Sequence, residues 1–324
     1  MQVYLIDPKA FVPRSSQRVF RTYSQFVKDA SECRNQTHVV CDGLGRADIA
    51  LAPVDDDIYG PFYERLRMLR RSFSVPMLVY SPVDNQLPCL PGLYPAVSRL
   101  WHRLRYAAAA HYRSSHFPRF TFDKHELAHK DLLCSFVGSV RSHPIRQKLM
   151  ILPLRHSVMK DVSAHGWWWD QSLEKQAPLV DAYRRILVRS TFVLCPRGVS
   201  PSSIRLYEAM EAAAVPVIVA DGIVLPDGPD WPSFSIQLSE GRLDQIPQLL
   251  NEYQSKAVEM GRLARRAWEQ YFAPDTSFHS MIEWSTSLLR RSTPARRSLV
   301  GSLAIGSSYV VPKHVRTRLR KLIR

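Results

Sequence analysis

The residues best suited to chemistry lie in segment 197–208, which follows an apolar run typical of a buried strand. A helix is predicted to begin near Ser202 or Ser203, and either hydroxyl could cap its N-terminus. Arg205 and Glu208 then lie three residues apart on one face of that helix. Guanidinium groups and helix N-termini both bind anions, so this strand, loop and helix predict a phosphate or pyrophosphate site.

Arg197, in the loop itself, would supply a second guanidinium group to the same anion. Glu208 would accept hydrogen bonds from sugar hydroxyls, such as those of a ribose. The alternative is an ordinary ion pair between Arg205 and Glu208 on an exposed helix face, which is worth only about 0.3–0.5 kcal/mol. The chain has no P-loop motif, no G-x-G-x-x-G and no G-x-S-x-G, so the common phosphate loops and the usual serine-hydrolase assignment are excluded.

Two residues are candidates for a general base that would activate a hydroxyl. Asp84 follows a predicted strand, so it should lie at the carboxyl edge of its sheet, where ligand sites of α/β proteins form. His143 stands close to the loop at 138–139. For each of them the alternative is a loop-capping or solvated residue.

Alternating strands and helices must position these residues. Short, nearly continuous apolar runs predict strands that are buried on both faces of a parallel sheet. Helical periodicity separates them, for example over Val19–Val27 and Leu179–Leu187. The nine predicted strands are Val3–Ile6, Thr37–Cys41, Ile49–Ala52, Met77–Tyr80, Leu132–Val137, Val158–Val162, Thr191–Cys195, Val215–Ala220 and Phe234–Leu238.

This pattern predicts an α/β protein, and its length of 324 residues predicts about two domains. We expect two doubly wound, Rossmann-like lobes over residues 1–152 and 153–289, followed by a basic tail over 290–324. A hydrophobic fraction of 45% excludes wholesale disorder, and 13 Gly and 23 Pro without a short repeat exclude collagen.

The cysteines and the first residues indicate a compartment. Five scattered cysteines without a C-x-x-C pair argue against a disulfide framework and a zinc site, and they favour a reducing environment. The segment Met1–Asp7 is typical of a first core strand and not of a secretory signal. We therefore expect a cytoplasmic protein.

The basic tail carries most of the excess charge. Ten Lys and Arg residues and no acidic residue lie from Arg290 to Arg324, out of a net charge of +15. Apolar positions at i, i+4, i+7 and i+8, namely Val315, Leu319, Leu322 and Ile323, predict a basic amphipathic helix suited to an anionic membrane surface. A solvated tail is the alternative. Nucleic-acid binding is disfavoured, because the charge is terminal and no helix-turn-helix or RNP-like motif is present.

Residues 132–250 resemble the exostosin family, glycosyltransferase family 47, through an ordered set of motifs. The motifs are Cys195-Pro-Arg-Gly198, Ser203-x-Arg205, Glu208-Ala209, Val215-Pro-Val-Ile218, Asp221, Leu225-Pro226, Trp231-x-x-Phe-Ser235 and Glu240, preceded by Phe136-Val-Gly-Ser139, Arg141 and Arg146. One departure is Ala213-Ala214, where the family usually has Gly-Cys. Both residues are small, so close packing should be preserved.

The resemblance implies the GT-B fold, in which the active site lies in the cleft between two Rossmann-like lobes. It implies inverting transfer of a sugar from a nucleotide diphosphate sugar, with a UDP-sugar as the expected donor, to a glycan or lipid-linked glycan hydroxyl. The implied donor-binding residues are Arg141, Arg146, Arg197, Gly198, Ser203, Arg205 and Glu208. No metal or other cofactor is expected, because basic side chains and helix dipoles would stabilise the leaving diphosphate.

A cytoplasmic, membrane-associated enzyme of this kind would act in bacterial surface polysaccharide synthesis. The competing class is a basic protein that binds nucleic acid or a membrane surface without catalysis. Asp55-Asp56-Asp57 has the D-x-D spacing of metal-dependent transferases, but it equally fits a solvated loop after a strand. Trp167-Trp168-Trp169 could stack on an acceptor sugar, although consecutive side chains point in different directions and core packing also accounts for them.

Overall fold

The computed structural model describes residues 1–13, 17–54, 61–82, 84, 88, 90–112, 122, 127, 129–165 and 173–292. The chain divides into two compact units. The first unit comprises Met1–Ser115, Gly222–Asp227 and Tyr271–Arg324, and the second comprises His116–Asp221 and Gly228–Gln270.

The first unit is built on a six-stranded sheet in which all neighbouring strands are parallel, in the order β2-β1-β3-β4-β5-β6. The strands are β1 Gln2–Leu5, β2 Val39–Val40, β3 Ile49–Pro53, β4 Met77–Tyr80, β5 Gly92–Tyr94 and β6 Ala107–Ala109. Strands β3 and β4 are buried throughout, as continuous apolar runs predict. The sequence did not predict β5 and β6, which are three residues long and rich in Gly and Ala.

Four α-helices lie in the described part of this unit: α1 Gln17–Ser31, α2 Pro61–Ser72, α3 Arg99–Arg103 and α10 Pro274–Arg291. Helix α10 packs against α1, β5 and β6, and its own side chains of Phe278, Met281 and Ile282 are fully buried. Its exposed side is joined to the start of β2, because His38 Nε2 and Glu283 Oε1 lie 2.7 Å apart. The C-terminal part of the described chain therefore completes the core of the first unit.

The second unit is built on a five-stranded parallel sheet in the order β11-β10-β9-β7-β8. The strands are β7 Leu132–Gly138, β8 Ser157–Asp161, β9 Ser190–Pro196, β10 Val215–Val219 and β11 Ile236–Leu238. The helices are α4 Pro144–Met150, α5 Leu173–Arg189, α6 Arg205–Glu211, α7 Trp231–Phe234, α8 Ile246–Tyr253 and α9 Ala257–Tyr271. The predicted pair of parallel-sheet α/β lobes is confirmed.

The division between the units differs from the predicted boundary at residues 152 and 153. That boundary would cut the second sheet, because β7 pairs with both β8 and β9 in parallel register. The second unit instead begins at His116, and the chain returns to the first unit at Gly222–Asp227 and again from Tyr271. The order of predicted strands does not indicate that the chain re-enters the first unit. A division into contiguous domains was therefore wrong.

The turn after α6 carries the departure from the family motif. Ala213 has φ of 52°, a left-handed conformation in which glycine is unstrained and alanine is not. Gly261 of α9 packs directly against this turn, since a Cβ at that position would lie 2.4 Å from the Ala213 carbonyl oxygen. Close packing is thus preserved here, and it depends on a glycine in the facing helix.

Cys33, Cys41, Cys134 and Cys195 are buried free thiols. In the described ranges, no helix has both the length and the apolar composition needed to cross a bilayer. Cys89, the predicted D-x-D at 55–57, the tryptophans at 167–169 and tail residues 293–324 lie outside the described residues.

Candidate functional site

The second sheet has a reversal of strand order at β7, which has β8 on one side and β9 on the other. Connections on the two sides of such a point run in opposite directions, and the crevice beyond the carboxyl ends of the strands is the usual ligand site of doubly wound sheets. The loops that leave this edge are 139–143 after β7 and 197–204 after β9. They contain four of the seven implied donor-binding residues, namely Arg141, Arg197, Gly198 and Ser203.

Arg205, the first residue of α6, lies against the end of β7. Its Nε donates a hydrogen bond of 2.5 Å to the Val137 carbonyl, and its Cζ lies 5.5 Å from the centre of the Phe136 ring. Gly138 provides the space, because a Cβ there would lie 2.5 Å from Arg205 Nη2. Among the described residues, neither Nη1 nor Nη2 has a hydrogen-bond or ion-pair partner. The guanidinium group is therefore held at one edge, and the other edge can bind an anion.

Glu208 is buried one turn further along α6. Its Oε2 accepts a hydrogen bond of 2.6 Å from the Tyr183 hydroxyl. Burial raises the pKa of this carboxyl, while the nearby Arg205 charge and the Tyr183 hydrogen bond oppose the rise. Within the described part of the chain no ion pair joins Arg205 to Glu208. Glu208 is buried and Arg205 is half-buried, so a pair on an exposed helix face does not describe them.

Tyr183 lies on the apolar face that helical periodicity predicts over Leu179–Leu187. Its position in α5 fits that pattern, because the ring is buried. The hydroxyl, however, reaches the Glu208 carboxylate and fixes one of its oxygens. Burial and the Glu208 charge raise the pKa of Tyr183 well above its ordinary value, so the phenol stays protonated as a donor. The pattern of apolar residues contains no signal for this contact.

Arg146 is buried beneath the two loops and binds backbone carbonyls. Its Nε donates to Arg197 O at 2.8 Å, Nη1 to Ser139 O at 3.1 Å and Nη2 to Pro196 O at 3.2 Å. Gly198 makes room for the group, since a Cβ there would lie 3.2 Å from Arg146 Nη2. Three of its nitrogens thus join the end of β7 to the end of β9, and the phosphate contact stays a prediction.

Arg197 is also buried, and its charge is balanced within the unit. Its Nη1 lies 3.1 Å from Glu240 Oε1, and its other nitrogens donate to the carbonyls of Gly198 and Val199. Glu240 in turn accepts a hydrogen bond of 3.0 Å from the backbone N–H of Asp221. The motif residues Arg197, Asp221 and Glu240 therefore form one network that shapes the loop after β9.

Ser203 does not cap the N-terminus of α6, as the sequence predicted it could. Ile204 occupies the N-cap position of α6, and neither Ser202 nor Ser203 caps the helix with its side chain. The Ser203 hydroxyl is buried, and no described residue is a hydrogen-bond partner for it. A buried hydroxyl without a partner is costly, so a bound polar ligand at this loop would remove the cost.

The remaining predicted residues lie at the edges of their sheets. Arg141 is exposed in a short 3-10 turn after β7, and its backbone N–H is bound by Ser139 Oγ at 3.3 Å. His143 caps α4, since its Nδ1 accepts a hydrogen bond of 3.3 Å from the Ile145 N–H. Asp84, in the first unit, is exposed beyond the carboxyl end of β4.

Comparison with known proteins confirms the resemblance inferred from the motifs. Residues 121–253 match the family model described as the Exostosin GT47 domain. Exostosin-1 of Drosophila melanogaster is 28% identical over 233 residues, which is 66% of this chain and 29% of that protein. A probable glucuronoxylan glucuronosyltransferase of Arabidopsis thaliana is 36% identical over 92 residues, covering 28% of this chain and 19% of that protein.

Among solved structures, a glycosyltransferase from Rickettsia africae aligns over 90% of this chain and 99% of its own, with 9% identity and a TM-score of 0.43. The chain spans less than a third of the length of the two curated relatives. The matched domain covers the second sheet and its crevice, which is the part with Arg205, Glu208 and Ser203.

Proposed function

We propose that this chain, similar over residues 121–253 to the Exostosin GT47 domain, is an inverting glycosyltransferase that uses a nucleotide diphosphate sugar. One observation carries the proposal. The Arg205 guanidinium group, anchored by Nε, offers Nη1 and Nη2 at the switch point of the sheet in the matched domain. A pyrophosphate matches that pair of donors in charge and in geometry.

The second unit would bind the donor through its diphosphate and its nucleoside. Arg205 would bind the diphosphate, with the exposed Arg141 as a second cation. Glu208, held by Tyr183, would accept hydrogen bonds from the ribose hydroxyls, and Ser203 would pair its buried hydroxyl with the ligand. Arg146 and Arg197 would act as positioning residues, since their donors are engaged with the loops.

In the reaction, the acceptor oxygen forms a bond to the anomeric carbon while the bond from that carbon to the diphosphate breaks. Negative charge grows on the leaving diphosphate, and a fixed guanidinium group stabilises it more than it stabilises the bound substrate. The acceptor proton passes to a base, for which we propose Asp84. Tyr112 orients this carboxylate, because its hydroxyl donates to Asp84 Oδ1 at 2.6 Å.

A UDP-sugar is the donor that we propose, with a glycan hydroxyl as the acceptor. The Arabidopsis relative is named as a probable glucuronoxylan glucuronosyltransferase, which supports a glycan acceptor. We also propose a cytoplasmic role in bacterial surface polysaccharide synthesis. It rests on the compartment that the cysteine pattern favours, on the basic tail and on the family resemblance, and the curated relatives named above are from an animal and a plant.

The proposal is tested by a thermal-shift screen of nucleoside diphosphates, followed by calorimetry. We expect UDP to raise Tm in proportion to the logarithm of its concentration above Kd, because a ligand of the native state stabilises it by mass action. Uridine, which lacks the diphosphate, is the matched control and should bind much more weakly. A protein that ignores every nucleoside diphosphate and binds duplex DNA tightly at physiological salt would belong to the competing class.

We further propose that the tail brings the protein to an anionic membrane surface. A chain ended after Ser292 keeps all of α10 and loses eight of the ten basic residues. Near an anionic leaflet each basic residue contributes about 1 kcal/mol. The full chain should therefore cosediment with phosphatidylserine vesicles at low salt, and the shortened chain should remain in solution.

Salt and lipid charge provide the controls for this experiment. Binding of the full chain should weaken as salt rises, because the Debye length falls from about 10 Å at 0.1 M to about 3 Å at 1 M. Neutral phosphatidylcholine vesicles should bind neither chain. If the full chain ignores anionic vesicles even at low salt, the tail has another role.

A further inference from the structure

A cavity of about 480 Å³ lies in the first unit, between the end of α3, the start of β6 and the last turn of α10. Its lining residues are His102, Arg103, Arg105, Ala107, Ala108, Asp227, Ser287, Leu288 and Arg291. Strand β6 begins here, so the cavity is at the amino edge of the parallel sheet. Asp84 follows the carboxyl end of β4, at the opposite edge, and the cavity is therefore separate from the proposed base.

The cavity is positively charged. Among its described lining residues there are three guanidinium groups and one carboxylate. Asp227 balances one arginine, with Oδ2 3.1 Å from Arg291 Nη1. Arg103 is exposed and, within the described part of the chain, has no ion-pair or hydrogen-bond partner. The excess of cationic donors is typical of a site for a phosphate group.

Arg105 is held at the rim by its backbone and by α10. Its φ of 55° is left-handed, a conformation that a non-glycine residue adopts only when its surroundings enforce it. Its backbone N–H donates to His102 O at 2.9 Å, and its Nη1 donates to Arg291 O at 3.0 Å. One nitrogen thus caps the last carbonyl of α10 and offsets the partial negative charge at that helix end.

Two further features favour an occupant. His102 Nδ1 is buried and, among the described residues, has no hydrogen-bond partner. Leu288, Ala107 and Ala108 give the same cavity an apolar wall. A ligand that combines a phosphate with a short apolar portion matches both parts. The last turn of α10, at this cavity, also contains Arg290, the residue at which the basic tail begins.

We propose that this cavity binds a phosphate group, and that its source is the headgroup of an anionic phospholipid. This inference goes beyond the proposed sugar transfer, because it concerns another edge of the other unit. It gives the membrane association a specific contact, which would add to the non-specific attraction of the tail through effective concentration.

The test measures binding of soluble dihexanoyl phosphatidic acid to the full chain by calorimetry. Arg103→Gln should weaken binding about three- to tenfold, because one charge-assisted contact is lost at a partly exposed site. Arg99→Gln is the matched control, since Arg99 lies on the same helix α3, is exposed and does not line the cavity. It removes the same charge and should leave Kd unchanged.

A second variant keeps the backbone of the rim. Arg105→Asn removes the guanidinium group, while asparagine tolerates the left-handed conformation, and it should weaken binding to a similar extent. Inorganic phosphate distinguishes the sources: phosphatidic acid should bind more tightly, because only the lipid contacts the apolar wall. Equal affinities would assign the site to free phosphate instead. Equal losses in Arg99→Gln and Arg103→Gln, or no binding of either ligand, would overturn the proposal.

Discussion

Arg205→Ala is expected to weaken UDP binding about 10- to 150-fold, because a charge-assisted hydrogen bond contributes about 1.5–3 kcal/mol. Nη1 and Nη2 are the atoms that would meet the diphosphate, and no described residue competes for them. Turnover should fall further than affinity does, since charge on the diphosphate grows in the transition state. Calorimetry with UDP and initial rates of sugar transfer measure the two effects separately.

Removal of Arg205 also removes its packing on Phe136 and its bond to Val137, so a second variant is needed. Gly138→Ala places a Cβ 2.5 Å from Nη2, and the guanidinium group is the movable end of a flexible side chain. The fold should therefore tolerate the change while the guanidinium group is displaced, and UDP affinity should fall again. Gly241→Ala is the matched control, because a Cβ there meets nothing within 4 Å.

The two variants make the donor site testable apart from stability. Thermal unfolding without ligand should show a larger loss for Arg205→Ala than for Gly138→Ala. If UDP binds to the wild-type protein and both variants retain its affinity, then Arg205 does not contact the diphosphate. In that case the exposed Arg141 becomes the principal candidate.

Most of the fold could be predicted from the sequence, because parallel strands that are buried on both faces consist of continuous apolar runs. β3 and β4 are of this type, and their ends agree with the structure to within one residue. β5 fails the same criterion, since Gly92 stands where the backbone of Val79 leaves no room for a side chain. A strand that needs glycine where a neighbouring backbone approaches closely lacks the continuous apolar run that identifies a buried strand.

The sequence indicated which residues lie near the candidate site, but it only partly indicated the role of each. Arg146, Arg197 and Arg205 were equivalent in the sequence, because each is a cation near a predicted loop. The structure separates them by their acceptors: backbone carbonyls for Arg146, Glu240 for Arg197, and a single carbonyl for Arg205. Which cation keeps free donors depends on loop geometry, and that geometry is set by contacts between residues far apart in the chain.

Asp84→Asn is expected to lower the turnover of sugar transfer by about 100-fold or more, which is the lower end of what general base catalysis contributes. The substitution keeps the geometry, because an asparagine oxygen can still accept the Tyr112 hydroxyl that now lies 2.6 Å from Asp84 Oδ1. It removes only the ability to take a proton. UDP affinity should stay at the wild-type value, since the donor is bound by the second unit.

His143→Asn is the matched control for this assignment. His143 Nδ1 accepts the Ile145 N–H at the start of α4, and asparagine is itself a favoured N-cap residue, so the helix should be preserved. The imidazole is lost in this variant, yet we expect turnover to fall by less than about twofold, because its capping nitrogen is already engaged. The reverse outcome, full turnover in Asp84→Asn and a collapse of kcat in His143→Asn at unchanged Kd for UDP, would move the base to His143. Wild-type turnover in both variants would assign the general base to another residue of the first unit.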